Sequence, residues 1–264
     1  MNALEIRDVT CGYGDEPVIR GVTLEVRRGE FLGILGPNGS GKTTLIRAVT
    51  GLLEPMGGEV LIEGADVRRL RPREIARRVA CVMQDTAIAP AIGNLAFSVR
   101  EIVGMGRTPY LSRTGWATDE DHRAVADAMQ LAEVEHLADR AITELSGGER
   151  QRAFIAMALA QGCDTVMLDE PTNHLDIAHQ IGILDLFARL NEREGTTVVG
   201  IFHDLNLAAE YCERVVLLKD GRLAKSGSPA EVFTAEVIRS VYGAEVTVGT
   251  SPSSGRPHVF VGRG

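Results

Sequence analysis

Cysteine is scarce in this chain. Its four copies, Cys11, Cys81, Cys163 and Cys212, stand far apart, with no C-x-x-C pair and no histidine at zinc-ligand spacing. That excludes a disulfide framework and a zinc module, and points to buried reduced thiols in a cytosolic setting. Long apolar runs are missing too. The longest uncharged stretch, residues 86–99, contains Pro90 and Asn94 and falls short of the roughly 18 to 20 residues that a helix needs to span a bilayer. The N-terminus carries Glu5 and Asp8 and lacks the basic start and apolar core of a secretory leader, so it reads as mature protein. Basic charge is in deficit, 28 Lys and Arg against 36 Asp and Glu for a net −8. The whole-chain field therefore gives no support to nucleic-acid binding, and any anion site must be local. No repeat or low-complexity block stands out. What is plentiful is apolar residue content, 44% of 264 residues, enough to bury the core of one large domain or of a domain with a subdomain.

Periodicity divides the chain into regions. Residues 3–30 alternate apolar and charged side chains between Gly12, Gly14 and Gly29, which predicts half-exposed antiparallel strands. The run Phe31–Leu35 is apolar throughout, as a strand buried on both faces must be. Helical spacing follows over Thr43–Leu53, then a short strand at Glu59–Gly64, a basic helix near Arg73–Arg78 and a strand at Val79–Met83. Residues 86–161 lose strand signals and carry amphipathic or buried helical patterns, which predicts an inserted helical subdomain. Alternation then resumes with an apolar strand ending at Glu170, a helix over Ile177–Glu194, a strand at Thr197–Phe202, a helix near Asn206–Cys212 and a strand at Arg214–Asp220. This order predicts a largely parallel sheet with crossover helices. The tail from Ser251 is expected to form a short strand with irregular peptide.

The chemistry is concentrated in three strings. Gly36-Pro37-Asn38-Gly39-Ser40-Gly41-Lys42-Thr43 sits between the buried strand and the first helix and matches G-x-x-x-x-G-K-[ST]. Its glycines allow backbone amides to converge on phosphate oxygens at a helix N-terminus. Lys42 would hold the β and γ phosphates and Thr43 a Mg²⁺ ion, with Thr44 next along the cradle. A bare glycine turn has no use for Lys then Thr after its last glycine. Next, Val166–Glu170 is an apolar strand ending in two acids. Asp169 is the candidate for the Mg²⁺ shell and Glu170 for the general base on water. Acids also cap ordinary strands, so this pair gains its meaning from the phosphate loop. Third, Leu145–Gln151 reads as a helix start, with Ser146 able to cap and Gly147 and Gly148 allowing close approach of an anion.

This third string resembles the signature motif of ABC ATPases, and the resemblance extends over essentially the whole chain. It implies an α/β fold: a P-loop NTPase core with a mixed, largely parallel sheet, an N-terminal antiparallel β-subdomain and an α-helical subdomain inserted at about 86–161 of a single domain, 1–264. It also implies further site residues. Tyr13 matches the aromatic that stacks on adenine, and Gln84 the glutamine that links Mg²⁺ and water to the helical subdomain. Asp176, in Asn173-His174-Leu175-Asp176, matches the D-loop that crosses a dimer interface, although Asn173 and His174 depart from its commonest form. His203 resembles the switch histidine at the γ-phosphate. By the same resemblance, the signature of one copy closes over ATP held by the phosphate loop of a second, making an ATP-sandwich homodimer with Mg²⁺.

Glu101–Leu111 and Ser254–Pro257 resemble segments of importer ATPases for ferric siderophores, haem and cobalamin. The implied partners are transmembrane permease subunits and, indirectly, an extracytoplasmic substrate-binding protein, with this chain at the cytoplasmic face and a ferric siderophore as the preferred cargo. Haem and cobalamin are the alternatives. A permease-free ABC ATPase for iron–sulfur cluster assembly is a more distant one, disfavoured by the Gly106-Arg107-Thr108-Pro109 segment.

Overall fold

A computed structural model describes residues 1–83, 97–112, 115–173 and 175–262. They form two compact units, one from Met1–Leu70 with Thr197–Gly264 and the other from Arg71–Thr196. The first unit begins with β1 (Asn2–Tyr13), β2 (Glu16–Arg27), β3 (Phe31–Leu35), α1 (Lys42–Val49), β4 (Gly57–Ile62) and β5 (Ala65–Asp66). The second carries α2 (Pro72–Ala76), β6 (Val79–Val82), α3 (Val99–Met105), α4 (Asp119–Leu131), α5 (Gly147–Ala160), β7 (Thr165–Asp169) and α6 (Ile177–Glu194). The chain returns to the first unit for β8 (Thr197–Ile201), α7 (Leu205–Tyr211), β9 (Arg214–Lys219), β10 (Arg222–Gly227), α8 (Pro229–Val232), α9 (Ala235–Tyr242), β11 (Thr247–Thr250) and β12 (Pro257–Phe260).

In the first unit, β2, β1, β4 and β5 make an antiparallel sheet, as the alternation over 3–30 predicts. β3 lies between β8 and β9 and runs parallel to both, while β10 closes back antiparallel on β9. All five residues of β3 are buried, which accounts for their unbroken apolar run. The α1 helix stops at Val49 rather than Leu53, because Gly51 turns left-handed at φ 71° and ends it. The tail is more ordered than expected, with β11 and β12 pairing as an antiparallel hairpin. The unforeseen α8 opens with a capping box, Ser228 to Glu231, and Pro229 at its first position.

In the second unit, β6 and β7 run parallel, with Val82 opposite Leu168. The described helices of the expected insertion, α3, α4 and α5, pack on one another; residues 86–96 and 113–114 of it lie outside the described residues. Arg107 is their hub. Buried, it donates to Asp121 Oδ1 at 2.8 Å and to the Ala160 carbonyl at 3.0 Å, and its guanidinium lies 4.0 Å from the centroid of the Tyr110 ring. Arg77 reaches Tyr110 from 5.0 Å and donates to the Pro109 carbonyl. The Gly-Arg-Thr-Pro-Tyr segment thus ties the end of α3 to the first turn of α4 and the last turn of α5. Bonds from the Thr118 backbone, then Arg107 and the Thr118 hydroxyl, hold the Asp121 carboxyl down at about 2.

Candidate active site

The loop from Gly36 to Thr43 joins β3 to α1 through backbone that only glycine adopts readily. Gly36, Gly39 and Gly41 have φ of 148°, 78° and 98°. At Gly36 a Cβ would stand 2.1 Å from the Leu218 carbonyl oxygen, so no side chain fits. Lys42 is buried, and its ammonium donates to the carbonyls of Gly36 at 2.9 Å and Pro37 at 3.1 Å, curling the loop around itself. No side chain caps α1; its cap is left-handed Gly41. The first-turn amides of a helix have no intrahelical acceptor, so this bare end is suited to an anion. Ser40 is 2% exposed, and its buried hydroxyl has no hydrogen-bond partner among the described residues. An orphaned hydroxyl in a glycine cradle beside a buried ammonium is the donor set that a triphosphate would complete.

The first unit also carries two of the other expected residues. The Phe202 amide bonds to the Ile34 carbonyl at 3.0 Å, extending the β3–β8 ladder by one residue. His203 therefore emerges at the same sheet end as the phosphate loop, the end where ligands of parallel sheets bind. Tyr13 ends β1 with its ring half exposed; its hydroxyl accepts from Arg47 of α1 at 2.7 Å. Sequence reasoning missed Tyr242. Burial pushes its hydroxyl up to about 12 against a backbone hydrogen bond from Gly36, placing it against the loop. Its only sequence signal is the helix-ending Gly243 beside it.

The second unit carries the acidic and signature elements. Asp169 is buried at the end of β7, and Glu170 beyond it has φ 54°, a strained value for a residue with a side chain. Asn173 Nδ2 donates to Glu170 Oε2 at 3.1 Å. Ser146 caps α5 in a reciprocal box with Glu149, its hydroxyl donating to Glu149 Oε2 at 2.7 Å, and Ser146 and Gly147 are exposed. Buried Gln151 of α5 donates to the Pro171 carbonyl at 3.2 Å, binding that helix to the loop after Glu170. Asp176 caps α6, bonding the His179 amide at 2.9 Å and its Nδ1 at 2.8 Å; these bonds lower its carboxyl pKa, the backbone one most. The same imidazole fills the space over Gly148, where a Cβ would lie 2.6 Å from His179 Cδ2. His179, which sequence reasoning missed, therefore joins Asp176 to the signature turn; the Asp-x-x-His spacing after a helix start is the signal that marks it. Gln84 and His174 lie outside the described residues.

A loop built for a triphosphate at a parallel-sheet end, with a separate capped Ser-Gly-Gly helix start, defines a nucleotide-triphosphate-binding protein of the P-loop class. The family profile of the ABC transporter matches residues 19–173. The chain is 40% identical to the ferric enterobactin transport ATP-binding protein FepC of Escherichia coli (strain K12) over 95% of this chain and 91% of that one. Its fold matches a solved structure assigned to the metal-chelate type of ABC transporter, in an inward-facing conformation, with a TM-score of 0.84, 27% identity and coverage of 98% and 97%. It also matches the dimeric structure of a bacterial ABC transporter cassette, MJ0796, with a TM-score of 0.74, 30% identity and coverage of 86% and 98%. The chain belongs to the ABC transporter family. It is an ATP-binding, ATP-hydrolysing subunit of that family, and no helix among the described residues is long and apolar enough to cross a membrane.

Proposed function

We propose that two copies of this chain, docked on transmembrane permease subunits at the cytoplasmic face, hydrolyse ATP to drive uptake of a ferric siderophore delivered by an extracytoplasmic binding protein. The observation that carries the ATP chemistry is the orphaned Ser40 hydroxyl inside the uncapped glycine cradle around Lys42. The cargo is supported by the likeness to a ferric enterobactin transport protein and to a metal-chelate type transporter. The pairing is supported by the dimeric cassette of like fold and by the exposure of Ser146 and Gly147.

In this reading the Gly36–Thr44 backbone and Lys42 bind the phosphates, Tyr13 stacks on adenine, and Ser146, Gly147 and Gly148 of the second copy cover the γ-phosphate. Glu170 takes the proton of the attacking water as the γ-phosphorus–oxygen bond to ADP breaks, and His203 senses the γ-phosphate. Asp176 carries the D-loop across the interface, and the helical subdomain at about 86–161 passes the motion to the permease. Mg²⁺, which Thr43, Asp169 and Gln84 would hold, offsets phosphate charge when bound.

The test is uptake into proteoliposomes holding the complete transporter, challenged in turn with a ferric siderophore, haem and cobalamin. Uptake of the ferric siderophore alone, abolished by Glu170→Gln, is expected. Selective uptake of haem or cobalamin would move the cargo assignment and leave the ATPase assignment intact.

A further inference from the structure

The helix that follows His203 is too short to hold itself in place. α7 spans seven residues and buries only Ala208 and Ala209. Isolated helices of this length are unstable in water, so its position must come from outside. At its start Asp204 accepts from the amides of Asn206 and Leu207 at 2.7 and 3.1 Å. Further ties come from the β11–β12 hairpin.

Those ties engage both ends of the helix. The Asn206 side-chain amide pairs with the Val259 backbone as a strand would, accepting from its N–H at 2.7 Å and donating to its carbonyl at 3.2 Å. Arg256 Nη1 donates to the carbonyls of Ala209 at 2.8 Å and Cys212 at 3.0 Å, where helix carbonyls lack intrahelical donors and a cation suits the dipole. Ser254 donates to Glu210 at 2.6 Å. The Ser254-Gly255-Arg256-Pro257 string, which marks the importer group in the sequence, therefore has a physical task. It closes over α7 from Glu210 to Cys212 while Val259 holds the first turn.

We propose that Asn206 and Arg256 are positioning residues for ATP hydrolysis: the C-terminal hairpin fixes α7 and, through its cap Asp204, the adjoining His203. This rests on the reading of His203 as the γ-phosphate sensor. Both side chains bond protein backbone, Asn206 at Val259 and Arg256 at Ala209 and Cys212, and neither belongs to the phosphate loop. Their effect is on turnover, because small displacements of a group at the reacting centre are costly in rate, whereas ATP affinity is set by the phosphate loop.

The experiment compares the full-length parent with Asn206→Ala/Arg256→Ala, Arg256→Lys and His203→Ala, measuring kcat and KM for ATP together with amide hydrogen exchange. For the double variant, kcat is expected to fall about ten- to a hundredfold with KM for ATP within about twofold. Faster exchange should be confined to residues 203–212, and Arg256→Lys, which keeps the charge and an ammonium donor, should retain most of the parent rate. The proposal is overturned if kcat of the double variant stays within about twofold of the parent while His203→Ala abolishes turnover. It is equally overturned if kcat falls only in proportion to the folded fraction, with exchange rising across the whole chain. Parent-like turnover in His203→Ala would instead remove the His203 reading beneath it, a separate outcome.

Discussion

Arg107→Ala should destabilise the second unit without altering any residue assigned to nucleotide. The guanidinium and the Asp121 carboxylate are both nearly buried, at 9% and 6% side-chain exposure, and 2.8 Å apart. Removing one partner of such a pair costs about 3–5 kcal/mol, because the other charge is left uncompensated. Here the Ala160 carbonyl loses a donor as well. Asp121→Asn should cost less. Its carboxyl is held near 2 against an ordinary 3.8, a shift worth about 2.4 kcal/mol in full; Asn keeps an acceptor oxygen for the Arg107 or the Thr118 donors, which trims the loss to about 1–2 kcal/mol. The sign follows from the lowered value. The contribution is complete above about pH 5, where the unfolded carboxyl is ionised, and is lost progressively as pH falls through about 4 to below about 2. Urea unfolding followed by circular dichroism, with hydrogen exchange over α3–α5, measures both variants between pH 3 and 8. An Arg107→Ala loss below about 1 kcal/mol, or an Asp121→Asn difference that grows below pH 4, would refute the reasoning.

Other expectations concern the loop and the signature turn. Ser40→Ala should leave the nucleotide-free protein as stable as the parent or up to about 1 kcal/mol more so, since it removes an unsatisfied buried hydroxyl; calorimetry should then show a smaller ATP-induced rise in Tm. Gly36→Ala meets the Leu218 carbonyl at 2.1 Å, so titration with a fluorescent ATP analogue should show binding weakened at least tenfold, about 1.4 kcal/mol. Gly148→Ala should displace His179, and pairing it with His179→Ala should restore part of the lost stability in urea.

The sequence made the core legible where one local rule sufficed. A fully apolar run at Phe31–Leu35, glycines followed by Lys42 and Thr43, and an apolar strand ending in Asp169 and Glu170 each announce themselves by composition and order. The bounds of α6 were readable as well, because Asp176 caps its start and Gly195 its end. What escaped was set by tertiary partners. Tyr242 matters through Gly36, more than two hundred residues earlier, and no periodicity encodes that contact. His179 is bonded locally to Asp176, but its contact with Gly148 on another helix is set by packing. The sequence marks Arg107 only through a likeness to importer ATPases and not as a packing hub, since its partners Asp121 and Ala160 lie on elements brought to it only by packing. The β11–β12 hairpin reads as loose tail because its strands are four residues each and bury only Val259 fully.

The pairing of two copies around ATP is tested most directly by the mass of Glu170→Gln in solution. Light scattering on this variant should give 28.4 kDa without nucleotide and about twice that with ATP and Mg²⁺, with Ser146→Ala returning the ATP-bound sample toward the single-copy mass. A Glu170→Gln protein that binds ATP at saturating concentration and still scatters as one copy would contradict the account.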